Sequence, residues 1–230
     1  MIKIEEHNGI KVLRDDLLIG GTKSILMPYI IKDAEDYVYA SPVYGGFQIA
    51  LSAYCKSVGK KATIFCAKRK VRHPNTLECL NYGANIKEID YGYLNVIEKK
   101  ARDYCEMNGA VKLNFGAKDE KNINIIANRV KEVIRFLGKE PVEIWCAVGS
   151  GTLLEGILKG SDTALINGVV VGKDYSNNNK RVRLYKYHKS FDKVSNFKAD
   201  FKSMKNYDLK AFEYCVKYRD SDDVLFWNVL

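Results

Sequence analysis

Residues 36–67, DYVYASPVYGGFQIALSAYCKSVGKKATIFCA, contain one complete strand–helix–strand unit. The segment DYVYAS is short, aromatic and β-branched, which is typical of a strand. Apolar residues recur at helical spacing from Phe47 to Tyr54, and Gly59 ends this predicted helix. The following segment, KATIFCA, is a nearly continuous apolar strand, as expected where both faces of a parallel sheet are covered. The stretch therefore predicts two parallel strands joined by a helix.

The same alternation of strand and helix patterns extends over most of the chain. A helix is predicted over 24–33, just after the glycine pair Gly20 and Gly21. The elements predicted after residue 67 are, in order, a helix at 73–83, a strand at 84–90, a helix at 93–107, a strand at 110–115, a helix at 121–137, a strand at 141–148, a helix at 152–159, a strand at 164–172, a helix at 208–218 and a strand at 223–229. Between 172 and 207 the pattern degrades and predicts no regular element. Alternating strands and helices indicate an α/β protein with doubly wound parallel sheets.

Size and composition are those of a globular protein. The 230 residues are 47% hydrophobic and 28% charged, which suits one large domain or two small lobes. No apolar run approaches the roughly 20 residues that span a bilayer, and the opening segment MIKIEEHNGIKV lacks the features of a secretory signal. The six cysteines form no CxxC pair and no Cys/His ligand spacing. We therefore expect a cytoplasmic protein without a membrane partner, a disulfide framework or a metal site.

The net charge of +9 is unevenly distributed. Residues 173–210 hold eleven Lys and Arg against four Asp, with aromatic residues between them, and 55–73 hold seven Lys and Arg and no acid. Such patterns are typical of surfaces that bind phosphate or nucleic acid, and Lys180, Arg181 and Arg183 are the candidate contacts. A solvated, lysine-rich face is the alternative interpretation, and both stay open.

A glycine turn, VGSGT, joins the strand predicted at 141–148 to the helix predicted at 152–159. Glycine lets the backbone approach an anion, and a helix N-terminus presents unpaired N–H groups with a partial positive charge. The hydroxyls of Ser150 and Thr152 would add donors. The segment departs from the dinucleotide fingerprint GxGxxG and carries no P-loop lysine. It is therefore either a phosphate site or a tight turn without a ligand.

Two other glycine pairs lie beside candidate functional groups. Gly45 and Gly46 follow the strand at 36–41 and precede a helix, as the VGSGT turn does after its own strand. Ligands of open α/β sheets bind at the carboxyl ends of the strands, so both loops are expected at such an edge. Lys23 follows Gly20 and Gly21 and could reach the same crevice.

The order of these motifs, GG-x-K, GG-x-Q, LECLNYGANIKEID and VGSGTLLEG, resembles the fold-type-II, tryptophan-synthase-β-like family of pyridoxal-phosphate (PLP) enzymes. Within that family the chain is most similar to the aminocyclopropane-carboxylate deaminase and D-cysteine desulfhydrase group. The similarity covers 12–172 and 207–229. It implies PLP as the cofactor, a homodimer, a larger cofactor-binding lobe formed by 1–34 and 110–230, and a reduced α/β lobe formed by 35–109.

The resemblance implies that Lys23 forms the Schiff base with PLP. Such a lysine must lose its proton near pH 7 although its reference pKa is about 10.4, and burial or a neighbouring positive potential lowers that pKa. Gln48 would lie beside the cofactor ring. The cofactor phosphate would be bound by the turn residues Gly149, Ser150, Gly151 and Thr152.

A substrate site is implied by the same resemblance. Gly45 and Gly46 would lie beside the substrate carboxylate. Tyr44 would border the same pocket, and Tyr207 would contact the substrate as a catalytic group.

Three positions depart from the pattern of the group. Ile49 and Ala50 replace a serine and an asparagine, so a proton-abstracting hydroxyl is missing there. Val229 replaces a threonine that would meet the pyridine nitrogen.

The sequence as a whole predicts a PLP-dependent lyase-type enzyme that acts on an amino acid or amine by elimination, deamination or decarboxylation. One alternative is a PLP enzyme acting on an amino group tethered to nucleic acid, as in DNA base hypermodification, with 173–210 binding the phosphates. The other is a non-catalytic binding module that keeps the PLP fold, which the changes at Ile49, Ala50 and Val229 favour.

Overall fold

The computed structural model describes residues 1–90 and 92–230. In chain order the strands are β1 Ile4–His7, β2 Ile10–Arg14, β3 Asp36–Ala40, β4 Lys61–Ala67, β5 Asn85–Ile89, β6 Val111–Leu113, β7 Glu143–Val148, β8 Leu165–Val170, β9 Val182–Lys186 and β10 Val224–Asn228. The α-helices are α1 Met27–Ile30, α2 Phe47–Ser57, α3 Pro74–Asn81, α4 Leu94–Asn108, α5 Glu120–Leu137, α6 Thr152–Gly160 and α7 Asp208–Tyr218. Strands and helices alternate from β3 to β8, so the predicted α/β class with parallel sheets is confirmed.

The chain divides into two compact units. The first consists of 1–18 and 118–230, and the second of 19–117. Strands β1, β2 and β7 to β10 belong to the first unit, and β3 to β6 belong to the second. The sequence places the lobe boundaries after residues 34 and 109, and that assignment stays a prediction.

The first unit contains a six-stranded sheet in the order β1-β2-β10-β7-β8-β9. The β1–β2 pair is antiparallel and the other four pairs are parallel. Asn8 and Gly9 join β1 to β2 with φ values of 54° and 68°, the left-handed conformation that a two-residue hairpin turn requires. All residues of β7 and β10 are buried, which explains their nearly continuous apolar sequences.

Two glycines fix how α6 packs in the first unit. A Cβ atom at Gly156 would lie 2.3 Å from Ile126 Cγ2, and one at Gly160 would lie 2.5 Å from the carbonyl oxygen of Ala127. Both partners belong to α5. The absence of side chains therefore lets α5 and α6 approach closely, which fixes the position of α6 and of the turn that precedes it.

The second unit contains a four-stranded parallel sheet in the order β5-β4-β3-β6. Ile97 and Ala101 of α4 pack against Val38 and Phe65 in a buried cluster on this sheet. The core of the unit is thus built from strand residues and one face of each covering helix.

The helix predicted over 24–33 is wrong in extent. The structure has a 3₁₀ turn at Thr22–Leu26 that passes directly into the short helix α1. Pro28 explains the change, because it lacks the N–H that an α-helix starting at Ser24 needs at this position. The residues before it use shorter-range bonds, as when the N–H of Met27 donates to the carbonyl of Ser24.

The expectation of no regular element between 172 and 207 is also wrong, because 182–186 form β9. Among the described residues this strand lies at the edge of the first unit's sheet, where it pairs with β8. Three of its residues are partly buried and two are exposed, so it lacks the buried apolar run that marks the central strands.

Within the described part of the chain, no helix combines the length and the apolar character needed to cross a membrane. All six cysteines are free thiols, and five of them are buried. Buried free cysteine packs as a small apolar residue. The described residues contain no cluster of three or more potential metal ligands.

Candidate functional site

Lys23 lies in the 3₁₀ turn of the second unit, and its Nζ donates a hydrogen bond to the carbonyl of Gly116 at 3.0 Å. The same atom lies 5.9 Å from the centroid of the Phe47 ring. Burial lowers the pKa of Lys23 from the ordinary 10.5 to about 8. About a tenth of this amine is therefore neutral at pH 7, compared with roughly a third of a thousandth of a solvated lysine.

The glycine pair before Lys23 is required by the backbone. Gly20 and Gly21 have φ values of 79° and 77°, which residues with a side chain rarely adopt. A Cβ atom at Gly20 would lie 2.3 Å from the backbone nitrogen of Ala50. The turn that carries Lys23 therefore packs directly against α2. Ile49 and Ala50 are both buried, and Ala50 is part of this contact.

The loop 41–46 between β3 and α2 is held in a strained conformation. Val43 has a φ of 60°, which is unfavourable for a β-branched residue. Gln48 is completely buried, and its Nε2 donates to the carbonyls of Val43 and Gly45 at 2.6 and 3.1 Å. A Cβ atom at Gly45 would meet nothing within 4 Å. The side chain of Gln48 thus fixes the shape of a loop that borders open space.

In the first unit, Gly151 is the N-cap of α6 and has a φ of 85°. The hydroxyls of Ser150 and Thr152 lie 2.9 Å apart. The turn therefore combines backbone N–H groups at a helix start with the partly buried Ser150 side chain, which are donors of the kind that bind a phosphate, while the Thr152 side chain is completely buried.

Aromatic rings cover the two glycines of this turn. A Cβ atom at Gly149 would lie 3.1 Å from the hydroxyl oxygen of Tyr207, and one at Gly151 would lie 2.1 Å from Cε2 of Tyr175. The Tyr207 hydroxyl also donates to the carbonyl of Ala147 at 3.5 Å. The structure therefore brings Tyr207 and the turn 149–152 together, and their roles stay predictions.

Two side chains that the sequence did not single out, Glu155 and Lys118, hold Tyr175 in place. The Tyr175 hydroxyl donates to Oε1 of Glu155 at 3.0 Å, and Lys118 Nζ pairs with the same oxygen at 2.8 Å. Lys118 Nζ also lies 5.4 Å from the centroid of the Tyr175 ring. Burial raises the pKa of Tyr175 to about 12, so the hydroxyl stays a donor. These partners lie far apart in sequence, and no local pattern connects them.

Asp208, directly after Tyr207, is a second group that the sequence did not single out. It is completely buried, and its Oδ2 accepts from the N–H of Leu230 at 2.9 Å. Its Oδ1 is buried without a hydrogen-bond partner among the described residues. Burial raises the pKa of this carboxyl well above its usual range, which favours the neutral acid, a hydrogen-bond donor. The sequence signal was only an acid in the first turn of α7, which reads as helix capping.

The three basic residues proposed for nucleic acid lie in different environments. Arg181 is partly buried and donates to three backbone carbonyls and one hydroxyl in the last turn of α6 and just after it; its acceptors are Leu158, Ser161 and Ala164. Arg183 pairs with Asp220 at 2.5 Å. Lys180 is exposed. Arg181 is thus engaged in closing the C-terminus of a helix.

We expect the Arg181→Met variant to lose about 1.5–3 kcal/mol of unfolding free energy, because it removes charged donors from partly buried carbonyls. Urea denaturation of both proteins measures this loss. The Lys180→Met variant is the matched control and should stay within about 0.5 kcal/mol of the wild type. Equal stability of the two variants would show that Arg181 does not close the helix.

Comparison with known proteins defines the class. Residues 17–220 match the family described as pyridoxal-phosphate dependent enzyme, so the chain belongs to this family. No curated protein sequence matches the chain. Among solved structures it is similar to an ACC deaminase homologue, with 17% identity, coverage of 99% of this chain and 88% of the other, and a TM-score of 0.80.

Two further solved structures share the fold. O-acetylserine sulfhydrylase isoform 3 from Entamoeba histolytica is 12% identical, with coverage of 100% of this chain and 84% of the other and a TM-score of 0.72. A hydrogen sulfide-producing enzyme from Fusobacterium nucleatum is 14% identical, with coverage of 100% and 84% and a TM-score of 0.67. The predicted fold-type-II family, its fold and its PLP cofactor are therefore confirmed.

The residues of this chain fit that cofactor. PLP carries an aldehyde, a phosphate and a ring nitrogen, and each needs a different partner. Lys23 offers a partly neutral amine, the turn 149–152 offers phosphate donors, and Asp208 Oδ1 offers a buried polar atom without a partner. The roles of the individual residues stay predictions.

Proposed function

We propose that the chain is a lyase-type PLP enzyme that acts on an amino acid or amine through Lys23. The observation that carries this proposal is the amine itself, which has a pKa of about 8 and is oriented by the carbonyl of Gly116. A solvated surface lysine would need neither feature. The similar structures are named as a deaminase homologue, a sulfhydrylase and a hydrogen sulfide-producing enzyme, and we extend the lyase class to this chain on that basis.

When bound, PLP supplies an electron sink that weakens the bonds at the substrate Cα. Lys23 would hold the cofactor aldehyde through its amine, because the neutral form is the one that can bond to a carbonyl carbon. With a substrate present, Lys23 Nζ would be the base that takes the proton from the substrate Cα. Ile49 and Ala50 are buried and carry no hydroxyl, which leaves the lysine as the base we propose.

In this proposal the backbone and hydroxyl donors of 149–152 would hold the cofactor phosphate. The neutral carboxyl of Asp208 would offer a hydrogen-bond donor to the ring nitrogen, a role for which Val229 has no polar side chain. Tyr207 contacts the substrate as a hydrogen-bond donor, because burial raises its pKa and keeps the hydroxyl protonated.

The experiment that tests the proposal is a visible absorption spectrum of the protein with PLP, before and after borohydride reduction, followed by peptide mapping. We expect a cofactor band that reduction removes, with the reduced pyridoxyl group on the peptide that contains Lys23. In a separate sample, incubation of the unreduced, PLP-loaded protein with amino acids should release an oxo acid. Labelling of other lysines alone would overturn the assignment of Lys23.

The alternatives rest on fewer observations. Nucleic-acid binding through 173–210 would have to use cations that lack partners, since Arg181 and Arg183 are engaged within the protein. A non-catalytic binding module explains the loss of polar groups at Ile49, Ala50 and Val229, but it assigns no purpose to the lowered pKa of Lys23. A homodimer stays a prediction that sedimentation velocity can test.

A further inference from the structure

Two loops leave neighbouring strands at the same edge of the second unit's sheet. Strand β3 ends at Ala40 and strand β4 ends at Ala67, and these two strands are paired and parallel. The loop 41–46 follows the first and the basic loop 68–73 follows the second. Both loops therefore lie at the carboxyl end of the sheet, the edge where α/β proteins bind ligands.

The cations of the basic loop differ in how they are paired. Lys68 forms an ion pair with Asp90 at 2.8 Å, and Arg72 forms one with Glu88 at 2.9 Å. Arg69 has no carboxylate partner among the described residues, and its guanidinium carbon lies 5.2 Å from the centroid of the Tyr44 ring. A guanidinium stacked on an aromatic face is held in direction while its N–H donors stay available for an anion.

Tyr44 is itself held from the opposite loop. The His73 ring contacts it edge-on, with centroids 4.9 Å apart. Next to it, Val43 keeps its unfavourable φ of 60° because Gln48 binds the carbonyl of that residue at 2.6 Å. Backbone strain of this kind persists where the surrounding structure fixes it and is concentrated at functional sites. Here it fixes the loop that presents Tyr44 to Arg69.

The same loop leads to the reactive amine. Phe47 begins α2 three residues after Tyr44, and its ring centroid lies 5.9 Å from Lys23 Nζ. Gly45 lies between them in sequence and borders open space, since a Cβ atom there would have no neighbour within 4 Å. A molecule attached near Lys23 could therefore extend along 44–47 towards Arg69.

We propose that Arg69, stacked on Tyr44, binds an anionic group on the side chain of the substrate. The substrate class would then be acidic amino acids, with either a second carboxylate or a phosphate ester. This inference rests on the proposed function, because it takes Lys23 as the reacting amine. The Arg69 proposal goes beyond that function because it names the class of substrate side chain that the site prefers, which neither the family nor the fold defines.

The test is a calorimetric titration of the PLP-loaded protein with matched ligand pairs, aspartate against asparagine and O-phosphoserine against serine. We expect the anionic member of at least one pair to bind about tenfold or more tightly, since a hydrogen-bonded charge pair is worth that much. The first pair reports a carboxylate site and the second a phosphate site. The preference should weaken as salt is raised.

Three variants assign the preference to Arg69. Arg69→Met should abolish it, so that the anionic and neutral members of each pair bind with equal affinity. Arg69→Lys should keep only part of the preference for the anionic ligand, because lysine lacks the planar guanidinium that can donate two parallel hydrogen bonds. Lys70→Met is the matched control, which removes one exposed positive charge from the same loop and should keep the preference.

The outcomes separate this inference from the proposed function. If Lys23 is trapped with PLP but neutral and anionic amino acids bind equally, the Arg69 inference fails and the proposed function stands. The same holds if Arg69→Met and Lys70→Met behave alike. If PLP does not attach to Lys23 at all, both fail together.

Discussion

The Lys23→Ala variant is expected to lose all reducible attachment of PLP while it stays folded. Attachment requires a neutral amine, and Lys23 is the lysine whose pKa burial lowers to about 8. Among the described residues the substitution removes one hydrogen bond, to Gly116, and a contact with the Phe47 ring, so the loss of stability should be small. Borohydride reduction followed by intact mass measurement would show the pyridoxyl adduct in the wild type and none in the variant.

The Lys32→Ala variant is the control, because Lys32 is exposed and belongs to the same unit. It should be labelled like the wild type. The pH dependence adds an independent check of the same amine. Because the neutral form reacts, the rate of attachment should rise with pH up to about 8 and then level off. A rate that keeps rising towards the ordinary lysine value would show that the amine is solvated.

The strand–helix–strand unit of 36–67 could be predicted because its signals are local. Apolar runs, a helical period and a glycine stop all lie inside the segment that they describe, and β3, α2 and β4 follow them closely. The helix over 24–33 is wrong in extent for an equally local reason, because Pro28 interrupts the apolar period that predicts it. The strand β9 was missed because an edge strand needs no continuous apolar sequence.

The residues of the candidate site likewise fall into those that local sequence marks and those that only the fold brings together. Lys23 and the turn 149–152 could be singled out as candidates from the sequence, because glycines at fixed positions mark the backbone that carries them. Asp208 could not, since its burial depends on the packing of α7 and the chain terminus rather than on its neighbours in sequence. The contacts of Lys118 and Tyr175 with Glu155 join three separate segments, and only the fold brings them together.

The Gly151→Ala variant is expected to lose PLP affinity by at least about tenfold, because the donors of the turn would no longer point at one phosphate. The new Cβ atom would lie 2.1 Å from Cε2 of Tyr175, a separation that real atoms do not reach. Either the Tyr175 ring leaves Glu155 or the turn moves. Equilibrium dialysis with PLP and with pyridoxal, which lacks the phosphate, measures the effect. The loss should be confined to PLP.

The Gly138→Ala variant separates the steric clash at residue 151 from the free-energy cost of placing alanine in the left-handed conformation. Gly138 has a φ of 76°, but a Cβ atom there would meet nothing within 4 Å. Both substitutions therefore cost about 1 kcal/mol for the left-handed conformation, and only the one at Gly151 creates a clash. The Gly151→Ala/Tyr175→Ala double variant removes the ring and should recover part of the PLP affinity. If Gly138→Ala weakens PLP binding as much as Gly151→Ala does, the effect is one of stability and the turn at 149–152 does not bind the phosphate.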